Sequence, residues 1–129
     1  MDPVAIVKDF LDALENRDLS RAQAHLGPGF GMVFPGGRTY GSLEAFVAGA
    51  KGRYAWVRKR HDPVDVAPSG AETVVYIYGT LYGAWLDDTA FEGIRYIDRF
   101  VLRDGKIIDQ LVWNDLAEAR TRLASEKAA

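Results

Sequence analysis

The order of patterns along the chain predicts an α+β fold: helices first, laid on one face of a curved antiparallel sheet that follows them. Three observations predict it. Before position 55, apolar residues recur at three-and-four spacing, as Val4, Val7, Phe10, Leu11 and Leu14 and again as Leu43, Phe46, Val47, Ala50 and Tyr54, the stripe of a helix with one buried side. From Trp56 onward the pattern switches to alternation, interrupted at Pro68-Ser69-Gly70, Asp87-Asp88 and Asp104-Gly105, which are turn residues between hairpin strands. After Asp115 a helical pattern returns and runs to the end.

Each element has a local reason. Asp2-Pro3 opens the first helix, with a side-chain acceptor at the cap and proline where no amide donor is missed. Asp18 caps a second, shorter helix that ends before Gly27-Pro28-Gly29, and Phe30 to Phe34 is a short apolar strand closed by Pro35-Gly36-Gly37. Ser42 caps the third helix, whose Glu44 lies at the positive end of the helix dipole. Strands follow from Trp56 to Val66, from Thr73 to Trp85, and as a long hairpin from Phe91 to Asn114. Asp115 with Glu118 has the spacing of a capping box for the last helix.

Length and composition bound the function. With 129 residues, 48% of them apolar, the chain supports one cored domain over 1–129 and not two. A net charge of −2 leaves no basic face for phosphate backbones, and the one basic cluster, Arg58-Lys59-Arg60, falls inside a strand, so nucleic acid is not an expected partner. No cysteine and only two distant histidines give no metal-ligand spacing. The start, Met1-Asp2-Pro3, carries neither a basic region nor an apolar run, and no stretch is long and apolar enough to span a bilayer. A cytoplasmic protein with no membrane partner is expected.

Asp98 carries the functional argument. In the first hairpin strand Ile94, Tyr96, Asp98 and Phe100 share a face, because successive side chains point to opposite sides of the pleat. A carboxyl group in an apolar row is either solvated or buried. Buried, its charged form is disfavoured, and it becomes a neutral donor or a general acid/base near pH 7. Arg95 and Arg99 share the other face with Ile97 and Val101, a mixture suited to a subunit interface.

Tyr96-Ile97-Asp98-Arg99-Phe100, then Arg103-Asp104-Gly105-Lys106-Ile107 and Val112-Trp113-Asn114-Asp115, resemble the SnoaL-like and ketosteroid-isomerase-like proteins of the nuclear transport factor two superfamily. Asn16-Arg17-Asp18-Leu19, Pro35-Gly36-Gly37 to Tyr40-Gly41, and Asp62-Pro63-Val64 match further pieces in order, so the resemblance covers nearly the whole chain. It implies a cystatin-like cone fold: a curved antiparallel sheet wrapped around N-terminal helices, enclosing an internal pocket, in a homodimer joined through the outer sheet face.

The resemblance puts Asp98 where ketosteroid isomerases hold a proton-donating Asp and SnoaL-type cyclases an acid/base Asp. The isomerase's base carboxylate has no counterpart in Phe30-Gly31-Met32-Val33-Phe34, and Phe10 stands in place of its tyrosine. Arg95 and Asp98 lie on opposite faces, which argues against the family's epoxide hydrolases. His61 is the second catalytic candidate, since some dehydratases of this fold use a pocket histidine. Phe10, Phe30, Met32, Phe34, Tyr54, Tyr78, Tyr96 and Phe100 are candidates for an apolar pocket with hydroxyl tips, and Trp113 aligns with a pocket aromatic of the family. The expected partner is a small hydrophobic, cyclic or polyketide-like molecule. The expected chemistry is isomerisation, cyclisation or dehydration without metal or organic cofactor, the alternative being a non-catalytic ligand- or partner-binding dimeric module.

Overall fold

In chain order the elements are α1 (Pro3–Glu15), α2 (Leu19–Gln23), β1 (Leu26–Phe34), β2 (Arg38–Tyr40), α3 (Leu43–Lys51), β3 (Trp56–Ser69), β4 (Glu72–Ala84), β5 (Ala90–Arg103), β6 (Lys106–Asn114) and α4 (Leu116–Ala128). They are those of a computed structural model that describes residues 1–128, the side chains of residues 61 and 62 excepted. The six strands form one curved, open sheet in the order β2-β1-β6-β5-β4-β3, with the N-terminal helices against its inner face. Among the described residues no helix is long and apolar enough to cross a membrane.

Three of the four predicted caps form, and the expected Asp115–Glu118 capping box does not, because the Asp115 carboxylate is taken by Arg95. The Asp2 side chain accepts from the Ala5 amide at 2.8 Å, that of Asp18 from Arg21 at 3.2 Å, and that of Ser42 from Ala45 at 3.1 Å. At the start of α4, Asn114 Oδ1 accepts from the Leu116 amide, while the Asp115 carboxylate takes Arg95 Nε at 2.6 Å. The hairpin between β5 and β6 turns on two residues in the left-handed region, Asp104 (φ 52°) and Gly105 (φ 75°), a backbone that matches the twist of the strands it joins.

Three expectations need correction. The sheet is mixed and not wholly antiparallel, because β1 runs parallel to β6, pairing Leu26 with Ile107 and Met32 with Gln110. The first strand begins at Leu26, not Phe30; Gly27-Pro28-Gly29 falls in the break of the ladder between Leu26 and Gly31, where a proline without an N–H does no harm. A three-residue edge strand, Arg38–Tyr40, pairs with β1 where no strand was expected.

The core has two parts. In the first, Ile6, Val7, Phe10, Leu11 and Leu14 of α1 pack on Val75, Ile77, Phe100, Leu102 and Ile107 of the sheet. Phe10 is fully buried and meets Phe30 and Phe100 edge-on at 6.1 and 6.0 Å. Each such fully buried side chain contributes about 1.5–3 kcal/mol by leaving water. The second cluster joins Leu81, Trp85, Phe91, Ile94 and Tyr96 to Tyr54 and Val57 and to Leu116, Ala119 and Leu123 around the start of α4. Between β4 and β5 the register shifts after Leu81, and Gly83 lies so close to the neighbouring strand that a Cβ there would come within 2.2 Å of the Trp56 carbonyl oxygen.

Candidate functional site

A cavity of about 280 Å³ opens where the two core clusters meet. Leu11, Leu14 and Met32 wall it on one side and Val57, Leu81, Trp85 and Tyr96 on the other, with Phe34, Tyr40, Phe46 and Tyr54 near the third helix. Strand parity explains the wall. On β5 the residues Ile94, Tyr96, Asp98 and Phe100 are buried together, as the alternation predicts, and Asp98 has no exposed surface. Two strands away, Val57 turns inward, so Lys59 does too, while Trp56, Arg58 and Arg60 face out.

Asp98 is therefore held among polar groups in an otherwise apolar wall. Its Oδ2 lies 3.8 Å from Lys59 Nζ and 3.4 Å from Gln110 Nε2. The Lys59 ammonium also sits 5.2 Å from the centre of the Tyr96 ring, a cation–π distance. Two buried polar atoms of this group, the Tyr96 hydroxyl and Gln110 Oε1, have no hydrogen-bond partner among the described residues. Burial, with Asp98 and Glu15 nearby, pushes the Tyr96 phenol far above its ordinary value, so it acts only as a neutral hydroxyl. Glu15 anchors the neighbourhood by accepting the Lys59 backbone amide at 2.8 Å.

The cavity wall is basic around Tyr54. Arg17, Arg38 and Arg53 gather there, and Arg120 of α4 lines the same cavity. Burial raises the Tyr54 phenol, against the opposing positive charges of Arg17, Arg53 and Arg38.

Of the predicted site residues, Asp98, Met32, Phe34, Tyr54 and Tyr96 line the cavity. Phe10, Phe30 and Phe100 instead pack on one another in the core. Trp113 is half exposed and on the outer face, because Val112 takes the inward place on β6; Tyr78 likewise faces out, bonded through its hydroxyl to Asp65 at 3.1 Å, since Val75 and Ile77 face in. The His61 backbone in β3 pairs with Gly79 of β4, and its side chain lies outside the described residues. Sequence reasoning missed Lys59, Gln110 and the four arginines. The signal for Lys59 was the alternation Trp56-Val57-Arg58-Lys59-Arg60, in which an inward valine fixes an inward lysine.

Against known proteins, the SnoaL-like domain model matches residues 7–110, most of the chain. The chain belongs to the SnoaL-like domain family. Solved structures show the same fold. An NTF2-like protein of unknown function from Burkholderia pseudomallei is 20% identical, with a TM-score of 0.70 over 90% of this chain and 92% of its own. TerC, co-crystallised with polyporic acid, is 17% identical with a TM-score of 0.72, over 92% of this chain and 95% of that one. A putative SnoaL-like polyketide cyclase from Jannaschia is 19% identical with a TM-score of 0.68, over 94% of both chains. No curated protein matches. At these identities the neighbours establish the cone fold of this SnoaL-like domain, not its chemistry.

Proposed function

We propose that this SnoaL-like domain binds a small, apolar, ring-containing molecule in the cavity and moves a proton beside a carbonyl group of it. The observation that carries the proposal is a fully buried Asp98 on the cavity wall, with Lys59 and Tyr96 around it. A carboxylate there takes a proton from carbon next to the carbonyl and returns it elsewhere, which is the shared step of isomerisation, aldol-type cyclisation and dehydration. The Tyr96 hydroxyl donates to the oxygen on which charge develops. Lys59 supplies the counter-charge that a buried carboxylate requires. His61 is proposed as a second proton carrier, on its place in the same strand two residues beyond Lys59. Met32, Phe34 and Tyr54 hold the ring.

The family and two of its structural neighbours support the ligand class, one having been crystallised with polyporic acid and one being a putative polyketide cyclase. The same proposal includes a homodimer. Tyr78, Ile97 and Trp113 form one cross-strand row on the outer face of β4, β5 and β6, and a second copy of the chain is the occupant that would cover it.

Co-crystallisation with 2-naphthol tests the site. The expected result is the ring system between Met32, Phe34 and Tyr54 with its oxygen in hydrogen-bond reach of Tyr96 or Asp98. A naphthol bound only outside the cavity would sink the proposal.

A further inference from the structure

The chain as a whole is slightly acidic, with 18 acidic residues against 16 basic ones, yet four arginines line one cavity, and three of them, Arg17, Arg38 and Arg53, gather around Tyr54. They come from four separate places: Arg17 after α1, Arg38 in β2, Arg53 between α3 and β3, and Arg120 in α4. The cavity's two carboxyl groups are engaged elsewhere, Asp98 with Lys59 and Glu15 with the Lys59 amide and with Arg58 at 3.9 Å. Among the described residues no carboxylate lies within ion-pair distance of the four arginines.

Two of them are held at a cost. Arg17 occupies the left-handed position that ends α1 (φ 56°), with the Asp18 amide bonded to the Ala13 carbonyl and the Arg17 amide to that of Leu14. Glycine is the usual residue at that position because an L side chain is disfavoured there. The arginine's guanidinium reaches back to the Leu14 carbonyl at 2.8 Å and lies 5.8 Å from the Phe46 ring, on the cavity wall. Arg38 donates through Nη1 to the Pro35 carbonyl at 3.1 Å, while its buried Nε has no partner among the described residues. A disfavoured backbone and an unmet buried donor at the same opening both point to something that these cations meet.

We propose that this arginine cluster is an anion subsite, so that the ligand is an amphipathic acid: an apolar ring in the cavity, its carbonyl toward Asp98 and Tyr96, and a carboxylate or other anionic group between Arg17, Arg38 and Arg53. The proposal rests on the cavity being a ligand site and adds the chemical class of the ligand. It also gives the ligand a direction, because Asp98 with Tyr96 and the arginine cluster then bind different parts of it.

The test uses two dyes with the same rings, 8-anilinonaphthalene-1-sulfonate and the uncharged N-phenyl-1-naphthylamine, in fluorescence titrations of the full chain. The sulfonate is expected to bind at least about tenfold more tightly, the worth of one charge-assisted hydrogen bond, and to weaken as sodium chloride rises. The triple variant Arg17→Gly, Arg38→Gln, Arg53→Gln is expected to lose that preference while keeping its affinity for the neutral dye. Arg17→Gly alone, which puts glycine where the backbone favours it, is expected to stay folded and lose part of the preference. Equal affinities in the natural protein, or a preference that survives the triple substitution, would overturn the anion subsite alone. Failure of both dyes to bind would overturn the ligand-site reading with it.

Discussion

The Asp98 carboxylate and the Lys59 ammonium lie 3.8 Å apart although β4 runs between their strands. On the inner face of β4 the residue between Ile77 and Leu81 is Gly79, which pairs with Tyr96 and has no side chain to block the crossing. Lys59 thus spans one strand to place a cation against a buried acid, with its ammonium over the Tyr96 ring.

Breaking this pair from one side leaves a buried charge uncompensated. Lys59→Met is expected to destabilise the fold by about 1–3 kcal/mol, whereas Asp98→Asn, equal in size and neutral, costs less. Urea denaturation of both single variants and the double variant gives the coupling, which is expected to be non-zero because the two groups are in contact. Strictly additive losses would mean that the two groups do not interact.

Trp113 stands half exposed in the outer row with Tyr78 and Ile97. Trp113→Glu should change monomer stability by no more than about 0.5 kcal/mol yet shift the sedimentation coefficient from dimer to monomer. An unchanged sedimentation profile would remove this face as the dimer interface.

Asp9 links the first two helices: it pairs with Arg21 and its Oδ2 lies 2.6 Å from His25 Nε2. The Arg21 hydrogen bond first, and then that of His25, hold its carboxyl group at about 2, below the ordinary 3.8. A depressed carboxylate contributes stability that is complete above its unfolded value and is lost as pH falls toward its folded one. Acid titration of the natural protein should therefore show a loss between about pH 4 and pH 2 that Asp9→Asn lacks. Parallel acid profiles for the two proteins would contradict it.

Gly83 touches the Trp56 carbonyl so closely that no side chain fits without moving backbone. Gly83→Ala is expected to cost about 1–3 kcal/mol, the range for overpacking, measured as a drop in thermal midpoint. A neutral substitution would show that the edge strand β3 yields freely there.

Much of the fold was legible because local signals and fold agreed: Asp2, Asp18 and Ser42 cap where the spacing says they should, and Asp104-Gly105 turns where two strands meet. The parallel pairing of β1 with β6 was hidden, since it joins segments far apart in sequence and nothing in Leu26 to Phe34 names its partner. In the site, alternation correctly buried Asp98 beside Tyr96. Alternation, not aromatic character, also decided that Tyr78 and Trp113 face outward, because Ile77 and Val112 take the inward positions. The four arginines escaped because they come from four separate stretches of the chain and share a cavity only in three dimensions.

The most direct test of proton transfer at Asp98 is hydrogen–deuterium exchange at the carbon next to the carbonyl of 2-tetralone, a small bicyclic ketone, followed by proton NMR in deuterium oxide. The natural protein should accelerate exchange over buffer, and Asp98→Asn should remove about a hundredfold or more of that acceleration, the usual contribution of a positioned general base. If the ketone binds in the cavity and exchanges no faster than in buffer, or equally fast with Asp98→Asn, then Asp98 is not the proton carrier; in the first case the domain is a binding module.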